Sequence, residues 1–169
     1  RDNRTRPNVL RAVLCEETGG THDWETDTVT VLQTNLDDIN PEILGRVMKG
    51  ALSQGALDVF HTPIQMKKNR PGVLLSILCG EGDADRFTEM ILTETTAFGV
   101  RRHTAERRKL RREFGTVETV YGRVAVKYGK LDDKVVQAAP EFDSCKRVAE
   151  ENNVPVKAVY DAAYRAIKV

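Results

Sequence analysis

Apolar and polar positions alternate in some stretches of this chain and recur at helical spacing in others, and the order of the two patterns outlines a mixed fold. Thr28 to Thr34 is β-branched at nearly every position and predicts a strand. Ile43, Leu44, Val47, Met48, Ala51 and Leu52 recur three and four residues apart and predict a helix. Asn40 suits its N-cap, Pro41 its first turn, and Gly55 its end. Leu57 to Gln65 reads as a second strand, and the unbroken apolar run Val73 to Cys79 as a third. Asp83 then caps a helix that turns Phe87, Met90 and Ile91 inward, and a fourth strand runs from near Gly99 toward Arg112. Thr116 to Tyr121 and Arg123 to Tyr128 read as a hairpin with Val124, Val126 and Tyr128 on one face. Helices over Phe142 to Glu151 and Pro155 to Ile167 follow. Ahead of all this, Val9 to Leu14 reads as a short strand and Thr18 to Asp27 as a loop around Trp24.

The order β-α-β-β-α-β is that of a ferredoxin-like sandwich, so the expected class is α+β, with a smaller β-hairpin plus two-helix unit appended. The expected divisions are residues 1–27, an N-terminal strand and loop; 28–112, the ferredoxin-like domain; and 113–169, the hairpin and last helices. Right-handed crossovers make the first two strands parallel and the third and fourth opposite to them. The end of the first strand, the turn after the second and the start of the fourth then share one edge of the sheet. Asp37-Asp38, Lys67 to Gly72 and Thr95 to Arg102 are expected to meet there, acid beside base.

Composition narrows what that edge can do. Lys plus Arg number 26 against 25 Asp plus Glu, a net charge of +1, so any polyanion site must be local. Cys15, Cys79 and Cys145 are odd in number and far apart, which fits a reducing, cytoplasmic setting rather than a disulfide framework. Cys79 reads as a packing residue. His22, His61 and His103 are scattered, with no paired-ligand spacing, and none is assigned a role. No apolar run is long enough to span a bilayer. The chain begins with Arg1, which suggests a piece of a longer protein.

The segments Leu32 to Glu42, Gly55 to Phe60, Met66 to Gly72, Glu94 to Arg101 and Tyr121 to Lys127 together resemble the LarC-type nickel insertion proteins. The resemblance runs in consistent order from about Pro7 to the last helix and is to the C-terminal part of those longer chains. It implies completion of a nickel-pincer nucleotide cofactor, by insertion of Ni²⁺ into a pyridinium bisthiocarboxylate mononucleotide with CTP consumed. It also implies a missing N-terminal domain. The family's His-rich segment has no counterpart here, so nickel capture is expected outside this chain. A homo-oligomer is expected.

In this light Asp37 and Asp38 have two readings: acids near a helix N-terminus, or ligands of a Mg²⁺ or Mn²⁺ ion shared with substrate phosphates. Cations brought to the same edge, and the resemblance, favour the metal role. The expected nucleotide contacts are Asn35, Lys67, Lys68, Asn69, Arg70, Gly72, Thr95, Arg101 and, on the later hairpin, Lys127. Arg can fork onto phosphate oxygens, Lys supplies a compact charge, and Asn69 suits a base edge or ribose. Pro71-Gly72 is expected to stiffen the turn and admit a ligand close to the backbone. The loop is not a Walker A motif, since its glycine spacing is missing. Two other classes compete. Val148 to Val159 has helix-turn-helix spacing, and seven of the twelve residues from Arg101 to Arg112 are Lys or Arg, which would suit a nucleic-acid module. Yet the second helix begins at Pro155 and lacks base-reading side chains near its start. A domain that only assembles is the other alternative. No residue is assigned as the base that takes the ring proton.

Overall fold

The computed structural model describes residues 22–168; the strand expected over Val9 to Leu14 lies outside them. The chain divides into two units, Trp24–Leu110 and a second built from Arg111 onward together with His22 and Asp23.

The first unit is the expected α+β sandwich. Its elements are β1 (Glu25–Leu36), α1 (Pro41–Ser53), β2 (Asp58–Met66), β3 (Arg70–Cys79), α2 (Ala84–Glu94) and β4 (Arg101–Lys109). The strands form one antiparallel sheet in the order β2-β3-β1-β4. The helices cover one face, because Leu32, Leu36, Leu75 and Ile77 point the same way and meet Leu44, Val47, Ala51, Phe87 and Ile91 in a closed core. The apolar stripe of α1 is wider than its buried face: Ile43 and Leu52 are exposed.

Element ends moved where tertiary pairing outweighed local pattern. β1 starts at Glu25, inside the stretch read as loop, because Asp27 is clamped by the Arg107 Nε and Nη2 groups of β4 at 3.0 and 2.8 Å and by Lys109 Nζ at 2.9 Å. β3 starts at Arg70, so Pro71 and Gly72 are ladder residues opposite Gln65 and Ile64 rather than parts of the turn. The turn is Lys67–Asn69, and its left-handed residues are Lys68 (φ 62°) and Asn69 (φ 56°). Asp83 does not cap α2 with its side chain; its carboxylate accepts from Arg86 at 2.7 Å.

The second unit holds β5 (Arg111–Thr119), β6 (Gly122–Leu131), β7 (Lys134–Pro140), α3 (Phe142–Asn152) and α4 (Val156–Ala166). The expected hairpin is a three-stranded meander, β5-β6-β7, whose last strand the sequence reading missed. Val124, Cys145, Val148, Ala149, Val159 and Ala163 form its core. Asn153, left-handed at φ 51°, ends α3, and Pro155 precedes α4.

Candidate functional site

Three segments of the first unit meet at one rim of its sheet. Leu36 at the end of β1 pairs with Val73 of β3, and Gln33 pairs with Arg101 at the start of β4. The β2–β3 turn and the loop after α2 therefore flank the two carboxylates that follow β1. A cleft of about 400 Å³ opens between them, lined by Asn35, Asp37, Asp38, Lys67, Phe98 and Arg101 among others.

Asn40 is the cap of α1: its Oδ1 accepts the Glu42 N–H at 2.8 Å. Asp37 and Asp38 are thereby released from that duty and face the cleft. Asp37 is half-buried and accepts from Arg70 Nη1 at 2.9 Å. Arg101 Nη2 donates to Asn35 Oδ1 at 2.5 Å, on the face opposite the helices, while its neighbour Arg102 turns toward α2 and meets Asp85 at 3.3 Å. The loop after α2 is pinned. Thr95 Oγ1 donates to the Ile91 carbonyl at 2.6 Å and accepts the Ala97 N–H at 3.1 Å, and Thr34 Oγ1 donates to the Gly99 carbonyl at 2.8 Å.

Of the expected contacts, Asn35, Lys67 and Arg101 line this cleft with both aspartates. Arg70 reaches it through Asp37. Lys68 and Asn69 stand exposed on the turn beside it. Thr95 is turned inward to fold its loop, and Thr96 lines the cleft in its place. Gly72 lines a second hollow of about 430 Å³ that shares Asp37 with the cleft and is lined also by Leu36, Ile39, Leu44, Met48, His61 and Val73. Lys127 belongs to the second unit, where its Nζ meets Glu141 at 3.1 Å. Sequence reasoning missed Met66, Phe98 and the apolar hollow. Phe98 lay within the quoted Glu94 to Arg101 run, and its aromatic ring amid Thr, Gly and Arg was the available signal.

The donor set limits the metal. Among the described residues no three His, Cys, Asp or Glu side chains gather as an ion site. Two carboxylates on an open cleft suit Mg²⁺ or Mn²⁺, which keeps waters and shares its shell with substrate phosphates. They do not suit a soft thiolate or imidazole cage for nickel. The cations of β4 are largely engaged: Arg107 and Lys109 hold Asp27, and Arg108 lies over Trp24, 4.7 Å from the ring centre. Asp27 is held well below the usual carboxylate range, first by its hydrogen bonds to Arg107 and Lys109. In α4, Lys157 pairs with Asp161 at 2.5 Å, which further weakens the case for a nucleic-acid surface. No described helix is long and apolar enough to cross a membrane.

Fold and rim define an α+β domain that presents acid and base together on one edge. The chain belongs to the nickel insertion protein family, whose model matches residues 1–160. It is 46% identical over 166 residues to the pyridinium-3,5-bisthiocarboxylic acid mononucleotide nickel insertion protein of Acetivibrio thermocellus, covering 97% of this chain and 40% of that protein. The protein of the same description from Thermotoga petrophila is 40% identical over 161 residues, covering 95% and 39%. The chain thus spans about two fifths of the length of these curated relatives. Among solved structures, the apo form of LarC2, the C-terminal domain of a cyclometallase involved in the synthesis of the NPN cofactor of lactate racemase, matches with a TM-score of 0.79 and 44% identity. That match covers 84% of this chain and 98% of the other. Protein MK0293 from Methanopyrus kandleri matches with a TM-score of 0.62 and 30% identity, covering 86% and 90%.

Proposed function

We propose that this chain is the nucleotide-binding part of a nickel insertion enzyme that completes the nickel-pincer nucleotide cofactor, with CTP held as its Mg²⁺ or Mn²⁺ complex. One observation carries the reading: Asp37, Asp38, Lys67, Asn35 and Arg101 border a single cleft large enough for a triphosphate. In a domain so similar to a cyclometallase's C-terminal part, that arrangement answers the main physical demand of the reaction, the gathering of polyanionic nucleotides.

Asp37 and Asp38 would hold the divalent ion, which supplies charge neutralisation to the phosphates. Lys67 places an ammonium beside the phosphate oxygens. Arg70, which holds Asp37 at 2.9 Å, would turn to fork onto the same phosphate chain. Arg101, steadied by Asn35, closes the opposite wall. The contribution of these groups is positioning and electrostatic stabilisation of charge on phosphate, the two effects that dominate phosphate chemistry. Nickel is cargo: the substrate is the pyridinium bisthiocarboxylate mononucleotide, and its thiocarboxylate sulfurs provide the soft donors that the described residues lack.

Titration calorimetry of the chain with Mn²⁺ and CTP, Mn²⁺ and ATP, and a short DNA duplex tests the reading. Metal-dependent uptake that favours CTP supports it. Heat from the duplex alone, fading with salt, would replace it with a nucleic-acid module, and silence for all three would leave a domain of assembly.

A further inference from the structure

We propose that Phe98 is the platform on which the pyrimidine ring of the bound nucleotide stacks, an inference that rests on the nucleotide reading above. Phe98 is 105% exposed, more than any other large apolar side chain among the described residues. Its position is not the accident of a loose loop. Ala97 on one side has its N–H held by Thr95, and Gly99 on the other has its carbonyl held by Thr34. Ala97 and Val100 also pack against the core. The backbone is thus tied down at both neighbours of the ring, and the ring is presented to water, where it adds nothing to folding.

What surrounds it identifies the occupant. Phe98 lines the cleft that also holds Lys67, Arg101 and the aspartate pair. A lone aromatic face beside phosphate-binding cations is the combination by which proteins grip a nucleotide at both ends, charge for the phosphates and a π-surface for the base. An aliphatic or peptide ligand would want a broader apolar wall, and this cleft is otherwise bordered mostly by polar groups. Stacking tolerates every base, because each has a π-face. Phe98 therefore supplies affinity for the base without choosing cytosine, and selectivity falls to hydrogen-bonding groups elsewhere at the site.

The test compares wild type, Phe98→Ala and Phe98→Tyr in the full chain, by calorimetry with Mn²⁺ and CTP, Mn²⁺ and UTP, and Mn²⁺ and inorganic tripolyphosphate. Phe98→Ala should weaken CTP about tenfold to a hundredfold and lower UTP by the same factor. Tripolyphosphate should be unchanged, and Phe98→Tyr should restore CTP. Wild-type affinity for CTP in Phe98→Ala would overturn the platform while leaving the nucleotide site intact. An equal loss of tripolyphosphate would overturn it as well, by showing a general disturbance of the cleft. So would an altered association state in sedimentation with CTP binding preserved, which would make the ring a contact between copies. Failure of the wild type to take up either CTP or tripolyphosphate would sink the underlying reading, and this inference with it.

Discussion

Under the proposed function Asp37 and Asp38 carry the divalent ion, and their effect is separable from folding because neither belongs to the buried core. Replacing both by Asn keeps size and polarity but removes the negative charge a hard ion needs. Nucleotide affinity in the double variant should lose its dependence on Mg²⁺ or Mn²⁺, with thermal stability nearly unchanged; an unaltered divalent requirement would exclude the pair as ligands. Asp27 illustrates the opposite case, a carboxylate that serves the fold. Its folded-state pKa lies below the unfolded value because Arg107 and Lys109 hold the anion. The stabilisation is therefore complete above about pH 4 and is lost as pH falls through the depressed folded-state value. Asp27→Asn should lower stability near neutrality and flatten its decline in acid, measured as denaturation midpoints across pH. At this scale the sequence named the aspartates and Arg101 correctly as rim residues. It could not say that Thr95 turns inward while Thr96 faces out, since loop side-chain direction follows from hydrogen bonds made after folding.

The β2–β3 hairpin shows how an element shapes the rim. Gly72 was read as part of a tight turn, yet it sits in β3 because the strand must pass close to β1's end. A Cβ there would meet the Leu36 carbonyl oxygen at 2.7 Å and Met66 Sδ at 2.9 Å. Gly72→Ala should cost about 1–3 kcal/mol, as overpacking against backbone does. Gly50→Ala, inside α1 with nothing within 4 Å of the added carbon, should instead gain about 0.5–1 kcal/mol. Urea denaturation of the two variants checks both signs, and a neutral Gly72→Ala would mean that the strand can move away. Elements with strong periodicity, such as α1 and β3, were legible from sequence. β7 was not: its Lys-Val-Val-Gln-Ala-Ala-Pro run is short and lacks alternation, and its turn, Asp132-Asp133 with both residues left-handed, carries no glycine to announce it.

At the scale of the molecule, topology was the most readable property. The succession of strands and helices in the first unit, with the crossover rule, fixes the strand directions, and the sheet of order β2-β3-β1-β4 brings the three segments to one rim. β4 was legible as a strand with an excess of cations, but not what those cations do; that emerges from partners such as Asp27, 80 residues from Arg107, and Asp85, 17 residues from Arg102. Each unit has a core of its own, one around Phe87 and one around Val159. Phe87→Ala should remove about 3–5 kcal/mol from the first and Val159→Ala about 2 kcal/mol from the second. Amide hydrogen exchange should show protection lost only in the unit that carries the substitution. Loss throughout the chain from either variant would mean that the two cores melt as one.

The Arg70–Asp37 contact has a consequence for the sequence of events at the rim. The Arg70 guanidinium serves Asp37 as its counter-ion at 2.9 Å, and under the proposed function that leaves the carboxylate less to offer a bare divalent ion. Under that proposal, phosphate oxygens that draw Arg70 away would free the carboxylate for coordination. The proposed site would then take up a divalent ion together with its nucleotide in preference to a free one.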